Sequence, residues 1–228
     1  HHLLQLGENH QIQFLHQLIQ EYFTAEFLLK LLPSLGDEEL QRNYLNYLKW
    51  TEPLALMLEL VEDEAQALRV VRLALEVDLQ LGARLAGKVK PQFQAQTVAW
   101  VRELEVAQKL KIQLLGITAS KEAISPLQQA LNDKNYSVRY WATKALEKIG
   151  NEATVTVLIQ VLNDENHLVR SSAADALGKI SSEAAVTALI QALNHEYDSV
   201  RSMAADALGE IGSEAAVTAL IQALNDKD

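Results

Sequence analysis

The sequence predicts an all-α chain: a right-handed α-solenoid of short helical pairs, preceded by an irregular helical segment. Three observations carry that prediction. "SEAAVTALIQALN" stands at 182–194 and again, letter for letter, at 213–225. Val138-Arg139, Val169-Arg170 and Val200-Arg201 recur every 31 residues, as do Leu158-Ile159, Leu189-Ile190 and Leu220-Ile221, and a period of this length belongs to helical-pair solenoids. Only 9 Gly and 4 Pro occur in 228 residues rich in Ala, Leu, Gln and Glu, a balance that favours helix throughout.

Taken in order, "HQIQFLHQLIQEYFTAEFLLKLL" predicts one strongly apolar helix from about Gln11, ended by Pro33 and Gly36. "DEELQRNYLNYLKW" follows, with Asp37 as the expected cap. "TEPLALMLELV" starts a third helix, with Thr51 as cap and Pro53 in the first turn, where proline is tolerated. The longest candidate is "EDEAQALRVVRLALEVDLQLGARLAG", with a break expected near Leu81-Gly82. "KPQFQAQTVAWVRELEVAQKLKIQLLG" then leads into the repeats as one or two helices.

Each repeat reads as two helices. Val186, Leu189, Ile190 and Leu193 recur at helical spacing and make one apolar face; Val200, Ala204, Ala207, Leu208 and Ile211 make the other. Polar turns "NDKNYS", "NDENHL" and "NHEYDS" separate the pairs. Gly150 and Gly212 fall just past helix ends, where a positive φ suits glycine. Ser182 and Ser213 are expected N-caps, with Glu183 and Glu214 in the first turn, where the helix dipole favours an anion.

Composition bounds the function. The absence of Cys excludes disulfides and thiolate zinc sites and fits a reducing compartment. A net charge of −10 argues against a general nucleic-acid binder. No apolar run approaches the ~20 residues of a membrane span, and no signal-peptide pattern opens the chain, so the expectation is a cytoplasmic protein with no membrane partner. His1 and His2 read as the stub of a purification tag. No Ser/His/Asp signature or metal-spaced cluster stands out, and pairs such as Glu38-Glu39 and Asp63-Glu64 read as solvated helix starts. "GARLAGKV" at 82–89 spaces Gly82, Gly87 and Lys88 like a P-loop, but Val89 replaces the hydroxyl needed for Mg²⁺ and no strand precedes it.

The pattern "VR..AA.ALG.IG..AV..LI.ALND" over about 117–228 resembles the HEAT-like repeat of the phycobilin-lyase type. Farther forward, Phe14, His16, Gln20, Glu21, Tyr22 and Ala25 resemble the F-x-H-x-x-x-Q-E-[FY]-x-A-A motif that closes the winged-helix module of NACHT-type signal-transduction (STAND) NTPases, with Thr24 replacing the first alanine. The helical stretch to about residue 90 resembles the arm that follows it in cyanobacterial members. These resemblances imply residues 3–112 as a truncated helical arm and 113–228 as HEAT-like repeats of 31-residue period. They imply a non-catalytic, protein-binding sensor fragment, with the NTPase core lying outside the chain. No cofactor is implied for the chain itself. ATP or ADP belongs to the full-length protein, where His16 would contact the nucleotide phosphate. The alternatives are a phycobilin lyase-like protein handling a bilin or phycobiliprotein, and a pure scaffold.

Residues copied between repeats report stacking, so ligand information belongs where the copies differ. Those positions are Tyr136, Tyr140, Trp141 and Lys144, then His167, Ser171, Ser172 and Asp175, then Tyr197, Ser202, Met203 and Asp206. In a regular solenoid they form neighbouring rungs on the concave face, where aromatics suit a protein partner. Arg139, Arg170 and Arg201 invite a reading as a grip on phosphates or an acidic partner. Their invariance between copies instead favours a structural tie to carbonyls or to Asp164, Asp175 or Asp206. A final helix lacking its partner should expose Val217, Leu220, Ile221 or Leu224, an apolar edge suited to self-association.

Overall fold

The computed structural model describes residues 4–6, 12–14 and 17–225. The chain divides into two compact units, His1–Val101 and Arg102–Asp228.

The first unit opens with a two-stranded antiparallel hairpin, β1 (Leu4–Leu6) against β2 (Ile12–Phe14), with Leu4 opposite Phe14. This corrects the expected helix start. Ile12, Gln13 and Phe14 alternate apolar and polar, the period of a strand, and α1 begins only at Gln17–Leu31. A turn at Leu32–Ser34 holds Pro33 and ends it. Next come α2 (Asp37–Leu40), widened into a π-helical turn at Gln41–Leu45, and a 3₁₀ turn at Leu48–Trp50. Then follow α3 (Thr51–Leu60), α4 (Glu64–Val77), α5 (Leu79–Ala86) and α6 (Pro91–Glu103). Leu28, Leu54, Met57, Leu58, Val70, Val71 and Leu85 form the core.

Three further expectations shift. Gly36 caps α2, while Asp37 turns to Arg69 Nε at 2.5 Å. Trp50, not Thr51, precedes α3. The long helix breaks at Asp78, whose carboxylate accepts from the Gln80 and Leu81 amides at 2.8 Å and so caps α5. Gly82 lies inside α5, where a Cβ would stand 2.6 Å from Leu75. The P-loop-like spacing therefore starts inside α5 and ends in the turn after it, and Lys88 pairs with Glu59 at 2.8 Å.

The second unit is an α-solenoid in two layers. One layer stacks α7 (Gln108–Ile117), α9 (Tyr136–Ile149), α11 (His167–Ile180) and α13 (Asp198–Ile211). The other stacks α8 (Ile124–Ala130), α10 (Glu152–Val161), α12 (Glu183–Ala192) and α14 (Glu214–Asn225). Leu127, Leu146, Leu158, Leu177, Leu189 and Leu208 are fully buried between them. Asn135 and Asn166 cap α9 and α11, and Ser182 and Ser213 cap α12 and α14 through the Ala185 and Ala216 amides. Gly150 and Gly212 take the left-handed conformation at φ +59° and +60°, and Ser181 takes it in the middle copy at φ +51°.

Small residues set the helix approach. A Cβ on Gly116 would stand 2.9 Å from Ala145, and one on Gly178 would stand 2.9 Å from Ala207. The same column holds Glu147 between them. On α14, Val217, Ile221 and Leu224 are exposed and Leu220 is half-buried, whereas Val186 and Leu189 in the identical α12 are covered.

Candidate functional site

Positions 31 residues apart occupy one column of the stack, so each differing residue can be placed by column. Tyr136, His167 and Asp198 share the first helical position of α9, α11 and α13. Tyr197 stands one place earlier, in the column of the capping residues Asn135 and Asn166. Sequence comparison grouped it with Tyr136; the register moves it to the turn. The remaining columns are Tyr140/Ser171/Ser202, Trp141/Ser172/Met203 and Lys144/Asp175/Asp206, spaced to form one stripe on each helix.

Along that stripe the exposure varies. Tyr136, His167, Ser202 and Asp206 are exposed, Tyr140, Trp141, Ser171 and Met203 half-buried, and Ser172 buried with no partner for its hydroxyl among the described residues. Tyr140 and Trp141 meet edge-on at 5.4 Å. Lys109, on α7, lies 4.2 Å from the centre of the Trp141 ring, a cation–π contact. Trp141 also lines a shallow hollow with Gln113, Lys144, Ala145 and Lys148.

Lys144 and Asp175 are drawn together. Lys144 Nζ lies 2.5 Å from Glu147 and 2.9 Å from Asp175, and Lys179 Nζ lies 3.1 Å from Glu147 and 2.9 Å from Asp175. This quartet bridges α9 and α11. Burial pushes the Asp175 carboxyl up, but hydrogen bonds and charges from Lys144 and Lys179 outweigh it and hold it below the usual range. The hydrogen bond to Asp175 raises the Lys179 ammonium, with Glu147 assisting against the effect of burial. One rung on, Asp206 and Glu210 are both exposed, with no ion pair among the described residues. The stripe thus runs from aromatic and cationic at α7–α9 to acidic at α13.

The arginine column lies on the turn side. Arg139 donates from Nε and Nη2 to the two oxygens of Asp164 at 2.7 and 2.9 Å, and from Nη1 to the carbonyls of Asp133 and Lys134. Glu165 adds a contact at 2.9 Å. The hydrogen bond to Asp164 leads the causes that raise the Arg139 guanidinium. The tie to Asp164 is therefore structural at this rung. Asp175 serves lysines instead, and among the described residues no arginine pairs with Asp206.

Arg170 differs. Its Nη1 bonds the Asp164 and Glu165 carbonyls, at 2.8 and 3.1 Å, but the next rung holds His195 where Asp164 stood. Its guanidinium lies 4.1 Å from the Tyr197 ring centre, and among the described residues Nη2 reaches only Ser199 Oγ at 3.4 Å and buried Nε has no partner. His195 Nδ1 accepts from the Tyr197 amide at 3.2 Å, which puts its proton on Nε2, 3.0 Å from Asn163 Oδ1. Lys109, Glu147, Lys179 and His195 were absent from the sequence-derived site. His195 had a signal there, as the break in the Asp133/Asp164 column, and so did Glu147, as the break in the glycine column.

The nucleotide-contacting residue suggested by resemblance, His16, lies outside the described residues. Among the described residues no helix is long and apolar enough to cross a membrane, and no group of three His, Asp or Glu is placed to hold a metal.

The family model for HEAT repeats matches residues 101–178 and 155–228. The chain belongs to the HEAT repeat family. No curated protein matches the chain. Among solved structures, YibA of Escherichia coli shares 20% identity over 96% of this HEAT repeat chain and 94% of its own, with a TM-score of 0.40. An engineered protein shares 20% identity over 88% of this chain and 85% of its own, with a TM-score of 0.36.

Proposed function

We propose that the array is a non-catalytic protein-binding module whose partner lies along the α9–α11–α13 stripe, with Tyr136, Tyr140 and Trp141 as its aromatic anchors. The observation that carries this reading is the contrast between faces. The stacking face is copied from rung to rung, while the stripe changes at nearly every column and runs from cation and aromatic to acid. Aromatic anchors with a charged rim suit protein recognition. In the fuller form of the proposal, the chain is the regulatory part of a larger NACHT-like NTPase that holds ATP or ADP outside these residues. Partner binding on the repeats then shifts the population between resting and released states of the first unit.

The experiment is affinity capture from a native extract by the full chain, by Tyr140→Ala/Trp141→Ala, and by Thr156→Arg on exposed α10. A protein retained by wild type and Thr156→Arg but lost from the aromatic variant supports the reading. Equal retention by all three refutes the stripe.

A further inference from the structure

Among the described residues, the rung between α11 and α13 buries a cation without an anion beside it. Arg170 is 8% exposed against 5% for Arg139, yet of the two only Arg139 meets a carboxylate. The structure itself displays the missing group, because Asp164 occupies the in-plane edge of Arg139 with two hydrogen bonds. At Arg170 the same edge is left with an unpartnered Nε and a long contact to Ser199 Oγ. The substituted residue, His195, has both ring nitrogens engaged, by Asn163 and by the Tyr197 amide. Glu196, in the column of the Glu165 that assists Arg139, is exposed and makes no ion pair among the described residues.

We propose that the Nε–Nη2 edge of Arg170 is a receptor for a carboxylate from an Asp or Glu side chain of a partner's acidic segment, entering beside Tyr197 and Ser199. A guanidinium presents a planar fork that matches a carboxylate in two hydrogen bonds, and such bonds strengthen out of water. Tyr197, 40% exposed, lies over the guanidinium with its ring centre 4.1 Å away. Exposed Arg201 has the same column position but lies open to solvent, so it lacks the desolvation that gives Arg170 its selectivity. The receptor rests on the reading that the array binds a partner. Its own test reads Arg170 directly, so its failure is distinguishable from failure of the Trp141 stripe.

The test follows the arginine Nε–H resonances of the full chain by two-dimensional ¹H–¹⁵N spectroscopy, assigned with Arg170→Lys and Arg139→Lys. The probes are hexaglutamate, hexaglutamine and inorganic phosphate at equal ionic strength. The expected result is a saturable shift of the Arg170 resonance with hexaglutamate alone, and none at Arg139. His195→Asp supplies the carboxylate from within the chain, so it moves the Arg170 resonance toward that of Arg139 without ligand and weakens the response at least about tenfold. Glu196→Gln keeps the response, which separates an incoming carboxylate from a rearranged internal one. No shift with hexaglutamate, an equal shift at Arg139, a response to phosphate alone, or an undiminished response in His195→Asp would each overturn the proposal.

Discussion

Replacing Asp164 by Asn tests whether the arginine column is a tie between rungs. The change keeps the size of the side chain and an oxygen that can accept from the Asn166 amide, a bond of 2.8 Å, but removes the charge facing Arg139. The side chains of Arg139 and Asp164 are 6% and 11% exposed, so the pair is largely shielded from solvent. Removing one member of a buried pair costs about 3–5 kcal/mol, because the other is left uncompensated. Arg139 retains the Asp133 and Lys134 carbonyls, at 2.8 and 3.2 Å, which lowers the cost. Glu165 also stays, but its side chain is 81% exposed and a bridge of that kind is worth about 1 kcal/mol or less. The expected loss is therefore about 2–3 kcal/mol. Urea unfolding followed by circular dichroism reads it as a midpoint lowered by about 1 M, for a slope of about 2–3 kcal/mol per M. Adding Arg139→Met completes a double-mutant cycle, in which a coupling of about 2 kcal/mol is expected. A loss under about 0.5 kcal/mol with no coupling would show that carbonyl contacts alone hold the rung, and would refute the reasoning.

Other perturbations separate the remaining forces. Gly178→Val drives a side chain into Ala207 and should cost about 1–3 kcal/mol, whereas Gly209→Ala, in the same column with nothing within 4 Å, should gain up to about 1 kcal/mol in urea unfolding. Ser181→Gly relieves a left-handed serine at φ +51° and should raise stability by about 0.5–1 kcal/mol, even though it deletes the hydroxyl bond to the Gly178 carbonyl. The folded-state pKa of Asp175 is depressed, so its contribution is present above the unfolded carboxyl value and lost as pH falls through the folded one. Thermal melts should hold level from about pH 5 to 8 and fall below about pH 4, and Lys144→Met/Lys179→Met should flatten that acid limb. An unchanged acid limb in the double variant would remove the quartet from the explanation.

The solenoid was legible because each rung must fit the next, so the stacking residues are written repeatedly. Ser182, Ser213, Gly150 and Gly212 were found as caps for that reason. The first unit has no such copies, and there local rules alone erred. Ile12 and Phe14 fit both a helix face and a strand, and Asp37 and Thr51 each lie one residue inside the helices they were expected to cap. Of the site, the differing columns were visible, but their contacts were not. Whether Lys144 meets Asp175 or solvent depends on the offset between α9 and α11, which period alone does not specify. Lys109 lies on α7, whose letters have drifted from the other copies, so its contact with Trp141 was not read from the pattern.

The α9–α11 and α11–α13 junctions are therefore different joints built from one repeat. Between α9 and α11 the glycine column holds Glu147, and its charge is met by the lysine–aspartate quartet and reinforced by Arg139 with Asp164. Between α11 and α13 the glycine returns, the helices close on Ala207, and the ion pair gives way to Arg170 against Tyr197. The first joint depends on paired charge, the second on close packing and a stacked cation. Screening by salt weakens attraction between partly exposed charges such as the quartet far more than contact between packed surfaces. The second joint alone carries a guanidinium edge with hydrogen-bonding capacity to spare. A carboxylate arriving there gives Arg170 what Arg139 already has, and so couples ligand binding to the stability of the last rung.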